Sequence, residues 1–354
     1  MHFRLMDRDS WGRCLARPAV WAALFLGLTA SPLARGADTI RLKLATLVPT
    51  GSSYHKSLLV LRESWRKLSN GSVDLVIYAD GKLGSEADTV GLMKLNSIQA
   101  SMITVAGLSE IEKSVGSLQN IPMGFRDFSE VDYVGEKLQP MLEEILDQKG
   151  FRVLFWSDAG WVHFFAKKAV VRPDDLKKLK LFCWAGNPEQ VAIYKSSGMD
   201  AVPLETADIV PGLQTGLIDA TPAPPVFALK AQIDSRAGHM LQLNWAPLVG
   251  ACVVRKETWE KIPAALREKL QQAAIDIGRE IKSNGRKEMV ESIAEMEKRG
   301  LKVTKVTPEL EAEWRAVAEA AYPQIRGRIV PTEMFDRALE LIREYRKSKS
   351  APAQ

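Results

Sequence analysis

The side chains that could carry out acid–base chemistry in this chain are few and scattered. Three histidines follow the first 36 residues: His55, His163 and His239. His55 comes after the first predicted strand, where it could contact a ligand or lie on the surface at a helix N-terminus. His163 lies in an aromatic strand and could donate to a ligand oxygen if it faces a cleft. His239 is expected at the surface.

Four carboxylates stand near predicted strand ends or turns: Asp80, Glu86, Asp158 and Asp219. Two carboxylates facing one cleft could act as general acid and base. Their spacing singles out no pair, however, and helix caps and turns account for them more simply. The sequence contains no G-x-S-x-G, no P-loop and no complete G-x-G-x-x-G. We therefore predict no enzymatic activity and no cofactor.

The aromatic residues are more informative than the ionisable ones. Eight of them concentrate in one predicted domain: Trp156, Trp161, Phe164, Phe165, Phe182, Trp184, Phe227 and Trp245. Core packing accounts for about half of such a group. The remainder, several of them near strand ends, would supply flat apolar surface to a cleft.

Two cysteines, Cys183 and Cys252, lie in apolar, strand-like runs. An oxidising compartment would permit a disulfide. Burial as two small hydrophobic residues is the favoured interpretation, because free cysteine is often buried. The sequence has no C-x-x-C and no cysteine–histidine cluster with metal-ligand spacing, so we predict no metal site.

The composition is that of a soluble globular protein, with 46% hydrophobic and 26% charged residues. The net charge is +5, and part of the excess lies in the first 36 residues. Acids and bases alternate along the predicted helices without a basic stripe. This pattern argues against nucleic acid as a partner.

The N-terminus has the features of a secretory signal peptide. Four arginines precede an apolar run, Val20–Ala30, and small residues follow it at Ala34 and Gly36. The apolar run is shorter than the ~20 residues that span a bilayer. We predict cleavage after about Gly36 and a soluble, periplasmic mature protein. An uncleaved N-terminal anchor is the alternative.

The stretch Arg172–Pro225 is the segment that would position a binding site. It contains two consecutive strand–helix units, which predict a parallel sheet with helices packed on it. Ligands of such sheets sit beyond the carboxyl ends of the strands. Here those ends are Cys183-Trp184 and Ala220-Thr221.

The first half of the chain repeats this alternation and predicts a doubly wound sheet. Predicted strands cover 40–44, 73–78 and 100–105, and the loops that would rim a cleft are 50–54, 80–83 and 105–108. A helix is predicted over 128–148. Two strands should follow it, 151–156 and 161–165, separated by a turn at 158–160, and a later strand is predicted at 249–254.

The last third of the chain is predicted to be mainly helical. Apolar spacing predicts one long helix over 264–299, with possible bends at Gly278 and Gly285. Thr307-Pro308 should begin another helix. A final amphipathic helix is predicted over 332–346, followed by a frayed tail from residue 348.

Four motifs in order resemble the solute receptors of TRAP-type transporters, the DctP-like periplasmic binding proteins. They are Ser72–Glu86, Asn120–Asp127, Arg172–Pro225 and Lys256–Pro263. The resemblance implies an α/β, two-lobed periplasmic-binding-protein fold with a long spine helix, each lobe a mixed or mostly parallel sheet flanked by helices. The expected divisions are a signal peptide (1–36), lobe I (37–160 plus 248–285), lobe II (161–247 plus 286–330) and a C-terminal helix and tail (331–354).

The chain departs from the family where the family binds carboxylates. The family's carboxylate-clamping arginine falls on Phe182, a second arginine falls near Val162, and an asparagine falls on Ala223. A carboxylate buried there without a partner would lose several kcal/mol of hydration. We therefore expect a divergent member whose ligand is mainly apolar, aromatic or lipid-like, with at most one polar end.

The expected ligand-binding residues combine the strand ends with the family's motif positions. They are Tyr54, His55, Arg126, Trp161, His163, Phe182, Trp184, Ala223, Phe227 and Trp245. If a carboxylate is bound after all, Arg126 is the first candidate to hold it. Lys56 and Arg172 are weaker candidates.

The resemblance also implies a mechanism. Two lobes would close on a small molecule about hinges near 222–225 and 245–247, and a membrane permease driven by an ion gradient would receive it. We expect a monomer. Two alternatives stay open: a periplasmic shuttle that passes a hydrophobic solute to an efflux or lipid-transport system, and a periplasmic enzyme on the same scaffold.

Overall fold

The structure is a computed structural model, and it describes residues 39–350. The predicted signal peptide and its cleavage point lie outside the described residues. Within residues 39–350, the helices are all too short or too polar to serve as a membrane span.

The described residues form nine strands: β1 (Ile40–Thr46), β2 (Val73–Tyr78), β3 (Ala100–Thr104), β4 (Phe151–Ala166), β5 (Lys180–Trp184), β6 (Asp200–Leu204), β7 (Ala220–Ala223), β8 (His239–Arg255) and β9 (Lys302–Lys305). Their helices are α1 (Ser53–Leu68), α2 (Glu86–Lys94), α3 (Val105–Ser109), α4 (Phe128–Gln148), α5 (Pro173–Leu176), α6 (Pro188–Ser196), α7 (Ile209–Thr215), α8 (Pro225–Lys230), α9 (Lys256–Glu260), α10 (Ala264–Lys298), α11 (Pro308–Ala320), α12 (Tyr322–Ile325) and α13 (Thr332–Ser350). Short 3-10 helices cover Lys113–Leu118, Thr206–Asp208 and Ile233–Ser235.

The strands form one mixed sheet in the order β2-β1-β3-β8-β4-β7-β5-β6, with β9 paired to β8. Strand β1 is parallel to β2 and β3, and β5 is parallel to β6 and β7. The long antiparallel strands β4 and β8 join these two parallel groups. The predicted two-lobed α/β fold is confirmed, with both lobes sharing one continuous sheet.

Local sequence signals set the helix starts. Ser52 caps α1 by accepting a hydrogen bond from the His55 amide, and Asp127 caps α4 in the same way through the Glu130 amide. The helix predicted over 128–148 has those bounds in the structure. Thr307 caps α11 as predicted, with proline at its first position.

The prediction of two strands separated by a turn at 158–160 is wrong. Strand β4 continues from Phe151 to Ala166, and a bulge replaces the turn. Asp158 pairs with Val249 and Trp161 with Pro247, so β4 holds one more residue than β8 at this point. The extra residue is accommodated at Gly160, whose φ is 86°, a conformation that glycine adopts at little cost.

Strand β8 is likewise longer than predicted. It begins at His239 instead of Val249, because pairing with β4 on one side and β9 on the other extends it. The final helix continues to Ser350, so residues 348–350 are helical and the frayed tail predicted there is wrong.

The long helix α10 is confirmed and has 35 residues, a length of roughly 50 Å. Its two internal glycines do not interrupt it. They allow close packing instead, since a Cβ at Gly278 would lie 2.5 Å from the Phe155 Cβ. A Cβ at Gly285 would lie 2.8 Å from Cζ of Tyr54.

Both cysteines are buried and free, as favoured from the sequence. Burial raises the pKa of the Cys183 thiol to about 12 and also raises the pKa of Cys252. Both thiols are therefore protonated near neutral pH and behave as small hydrophobic side chains.

Candidate functional site

A cavity of about 550 Å³ lies where strands from both halves of the sheet end. Its wall includes Thr46 at the end of β1, Thr104 at the end of β3, Trp184 at the end of β5 and Ala223 at the end of β7. The predicted strand end Cys183-Trp184 borders this cavity. The predicted end Ala220-Thr221 is wrong, because β7 continues to Ala223, and Ala223 is the residue that lines the cavity. The expected rim loops 50–54 and 105–108 contribute to the wall, whereas 80–83 does not. The long strands β4 and β8 contribute its floor through Val162 and other residues.

The cavity wall is largely apolar. It carries six aromatic side chains: Tyr54, Phe182, Trp184, Tyr194, Phe227 and Trp245. Aliphatic side chains fill the spaces between them, among them Val48, Met102, Ile193, Ile209, Val226 and Leu248. A wall of this kind favours ligands that bury apolar surface.

Six of the ten residues expected from the sequence line this cavity: Tyr54, Phe182, Trp184, Ala223, Phe227 and Trp245. The aromatic residues among them come from four elements, α1, β5, α8 and β8. Among the four that do not line it, His55 lies at the start of α1, where its Nδ1 accepts a hydrogen bond from the Gly51 amide at 3.3 Å.

Trp161 and His163 point to the other face of β4. Side chains alternate along a strand, so Val162 faces the main cavity while its two neighbours face a second one of about 400 Å³. The Nδ1 of His163 lies 2.8 Å from the Leu243 carbonyl oxygen. Burial lowers the pKa of His163 to about 4, which keeps the ring neutral at pH 7.

Arg126 is exposed and does not line the cavity. Its backbone N–H donates to Glu130 at 2.8 Å, and its carbonyl accepts from Asn244 at 3.2 Å. The first candidate for holding a carboxylate therefore lies outside the cavity wall. Lys56 and Arg172, the weaker candidates, are also absent from that wall.

The three positions where the resembled family carries polar anchors all lie in the cavity wall. They are occupied by Val162, Phe182 and Ala223. Among the described residues that line the cavity, Lys113 is the one lysine or arginine. Its Nζ lies 3.2 Å from Oε1 of Glu189. No sequence signal pointed to Lys113, which stands in a 3-10 helix.

Asp158 also lines the cavity, at the bulge of β4. Its side chain is 3% exposed and pairs with Arg286 of α10 at 2.8 Å. The same guanidinium pairs with Asp132 at 2.7 Å and lies 4.1 Å from the centre of the Phe128 ring. The Asp158 carbonyl accepts the Tyr54 hydroxyl at 3.3 Å, so this network supports the cavity wall.

Glu86 lines the cavity as a buried carboxylate with 6% exposure, although the sequence indicated a role in a helix cap or turn. Ser85 is the cap of α2. The Glu86 carboxylate accepts from the Thr104 amide at 2.8 Å, the Thr104 hydroxyl at 2.7 Å and the Gly107 amide at 2.9 Å. Burial raises the pKa of Glu86, and these three donors oppose that rise.

Two other carboxylates connect segments that are distant in the sequence, instead of the caps or turns predicted for them. Asp80 accepts from the Thr50 amide at 2.7 Å, and Asp219 accepts from the Lys180 amide at 3.3 Å. Within residues 39–350, histidine, cysteine and carboxylate side chains nowhere form a group of three that could hold a metal ion. The cavity thus offers apolar surface and hydrogen bonds for binding.

The sequence pattern of one family, bacterial extracellular solute-binding protein family 7 (DctP), matches residues 44–327. The chain is similar to the C4-dicarboxylate-binding periplasmic protein DctP of Rhodobacter capsulatus. The two are 24% identical over 311 residues, which cover 87% of this chain and 92% of the relative.

Solved structures with the same fold include two TRAP periplasmic solute-binding proteins. One, from Ralstonia eutropha H16 with bound (S)-2-acetolactate, has a TM-score of 0.79 at 20% identity and covers 86% of this chain and 99% of its own. The other, from Desulfovibrio desulfuricans with bound sn-glycerol-3-phosphate, has a TM-score of 0.80 at 17% identity and covers 89% and 100%.

Proposed function

Because this chain belongs to bacterial extracellular solute-binding protein family 7 (DctP), we propose that it captures a mainly apolar or aromatic solute for a TRAP-type transporter. The members of this family, and the solved structures that this chain resembles, are periplasmic solute-binding proteins of transport systems, not enzymes. The transporter's membrane permease is the partner that would receive the ligand.

One observation carries the choice of ligand. The cavity wall has apolar residues at the three anchor positions, and its one lysine, Lys113, is paired with Glu189. A small dicarboxylate would lose several kcal/mol of hydration there without a cation to replace it. An apolar ligand would gain roughly 25 cal/mol for each Å² that it buries against the aromatic wall.

The ligands of the relatives named above are anions, so this proposal sets the chain apart from them. The Rhodobacter protein is named for C4-dicarboxylates, and the two solved structures hold a keto acid and a phosphate ester. The divergence is supported by the cavity positions Val162, Phe182 and Ala223.

Capture would occur by closure of the two lobes. Segments 222–225 and 245–247 stand in or beside β7 and β8, and residues of both segments line the cavity. Ligand binding would draw the walls together by bending at these crossings. The proposed lobes are 37–160 plus 248–285 and 161–247 plus 286–330, with the C-terminal helix beyond them.

The export part of the proposal concerns the N-terminus. We expect a signal peptide that is removed after about Gly36 and a monomeric mature protein in the periplasm. N-terminal sequencing of the protein recovered from the periplasm tests the cleavage point. Light scattering of the same sample tests the monomer.

The ligand class is tested on the mature protein by native mass spectrometry followed by calorimetry. We expect a co-purified apolar compound, or binding of phenylalkyl compounds with a negative heat-capacity change. Succinate should show no binding at millimolar concentration. Tight binding of succinate together with no response to apolar compounds would refute the proposed ligand class.

A further inference from the structure

The charges around the cavity are unequal in number. Four carboxylates line it, Glu86, Glu110, Asp158 and Glu189, against the single lysine Lys113 among the described residues. Two of these carboxylates have cations already: Asp158 is paired with Arg286 and Glu189 with Lys113. The wall therefore keeps an excess of negative charge that would repel an anionic ligand.

Glu86 is the member of this set that is both buried and without a cation. Its carboxylate has no lysine, arginine or histidine nitrogen within salt-bridge distance among residues 39–350. The donors from Thr104 and Gly107 supply partial charges only. Buried carboxylates are normally paired, because losing hydration without a counter-charge is costly. A cation in the cavity would complete this arrangement.

The aromatic wall points to the same kind of ligand. The faces of indole and phenyl rings carry negative electrostatic potential and attract alkylammonium groups, most strongly where water is excluded. Trp184, Phe227 and Trp245 come from three different elements and enclose the same space. A ligand with an apolar body and one ammonium group would therefore have favourable contacts for both parts: the apolar body against the aromatic wall, and the ammonium group against ring faces and the Glu86 carboxylate.

We infer that the natural ligand carries an ammonium group on an apolar body, and that Glu86 is the carboxylate that pairs with it. This inference rests on the proposed function, since it takes the cavity between the lobes as the ligand site. It goes further by naming the polar end of the ligand. The charge of that end would be opposite to the one carried by the ligands of the relatives.

The test uses three probes of matched shape: 4-phenylbutylammonium, 4-phenylbutan-1-ol and 4-phenylbutanoate. Their affinities for the mature protein are measured by calorimetry at pH 7 and low salt. We expect the ammonium to bind at least about tenfold more tightly than the alcohol, a difference of ~1.4 kcal/mol. The carboxylate should bind least. Equal affinity of the ammonium and the alcohol, or tightest binding of the carboxylate, would overturn the inference.

A variant pair assigns the effect to one residue. Glu86→Gln should reduce the preference for the ammonium over the alcohol by about tenfold. The control, Glu291→Gln, makes the same change at an exposed position on α10 and should leave the preference intact. Thermal unfolding checks that both variants are folded. If Glu86→Gln keeps the wild-type preference, Glu86 is not the partner.

The same probes distinguish failure of the inferred ammonium group from failure of the proposed apolar ligand class. If the alcohol binds and the ammonium binds no better, the inference fails while an apolar ligand class stands. If no phenylbutyl compound binds and succinate does, the proposed ligand class fails and the inference fails with it.

Discussion

The Arg286→Met substitution should destabilise the protein more than the loss of an exposed ion pair would. Arg286 holds Asp158, whose side chain is 3% exposed, and Asp132, whose side chain is 35% exposed. Methionine keeps an unbranched apolar stem but removes the charge. Asp132 would keep its ion pair with Lys282 at 2.6 Å, so Asp158 is the carboxylate that would be left without a cation.

The expected magnitude follows from the burial of the orphaned carboxylate. Breaking a buried ion pair by removing one partner costs about 3–5 kcal/mol, because the other charge stays out of water without compensation. Native proteins are stable by about 5–15 kcal/mol, so at least about a fifth of the total would be lost. Loss of the contact between the guanidinium and Phe128 would add a smaller amount.

Equilibrium urea denaturation of the mature protein measures this change. The control is Arg279→Met on the same helix, whose partner Asp276 is exposed and whose own side chain is 73% exposed. That pair should be worth no more than about 1 kcal/mol. Adding Asp158→Asn to Arg286→Met should restore part of the loss by removing the unpaired charge. Equal destabilisation by Arg286→Met and Arg279→Met would refute the reasoning, as would a double variant no more stable than Arg286→Met alone.

Three further outcomes test other parts of the structure. Burial lowers the pKa of His163 to about 4 from an ordinary 6.5, so His163 becomes protonated at a lower pH in the folded state than in the unfolded state. The contribution of neutral His163 to the free energy of unfolding should be fully present above pH 6.5 and decrease by up to about 3 kcal/mol towards pH 4. In denaturation curves, the stability of His163→Gln should fall less over this pH range than that of the unsubstituted protein. Gly285→Ala should lower stability by about 1–2 kcal/mol because its Cβ would overlap the Tyr54 ring, whereas Gly91→Ala, where a Cβ has open space, should raise stability by roughly 0.5–1 kcal/mol. Phe182→Arg should place a cation in the cavity wall and make succinate binding detectable by calorimetry at millimolar concentration, where none is expected for the unsubstituted protein; no detectable binding would show that position 182 does not set ligand charge.

Much of the fold followed from local sequence patterns. The start of α4 is set by its cap Asp127, and the length of α10 follows from its apolar spacing; both signals act within a few turns of the chain. The parallel pairing of β5 with β6 and β7 followed from the alternation of strands and helices. Motif order was enough to identify the family, since motifs are read along the chain.

The tertiary structure decided which face of β4 lines the cavity and which charged side chains lie there. The sequence could not place Val162 on the cavity face and His163 on the other, because the bulge at Gly160 depends on pairing with β8, about ninety residues further along the chain. It also could not place Lys113 opposite Glu189. Such contacts are fixed by long-range packing, on which local patterns carry no information.

The sequence by itself therefore determined the receptor fold and the loss of three polar anchors, because both depend on residue identity at motif positions. Only the tertiary structure decided the charge of the cavity. Burial of Glu86 beside Thr104 and Gly107, and pairing of Asp158 with Arg286, depend on elements brought together by the sheet. Electrostatic interactions depend on the distances between charges and on their burial, so residue types along the chain do not specify them.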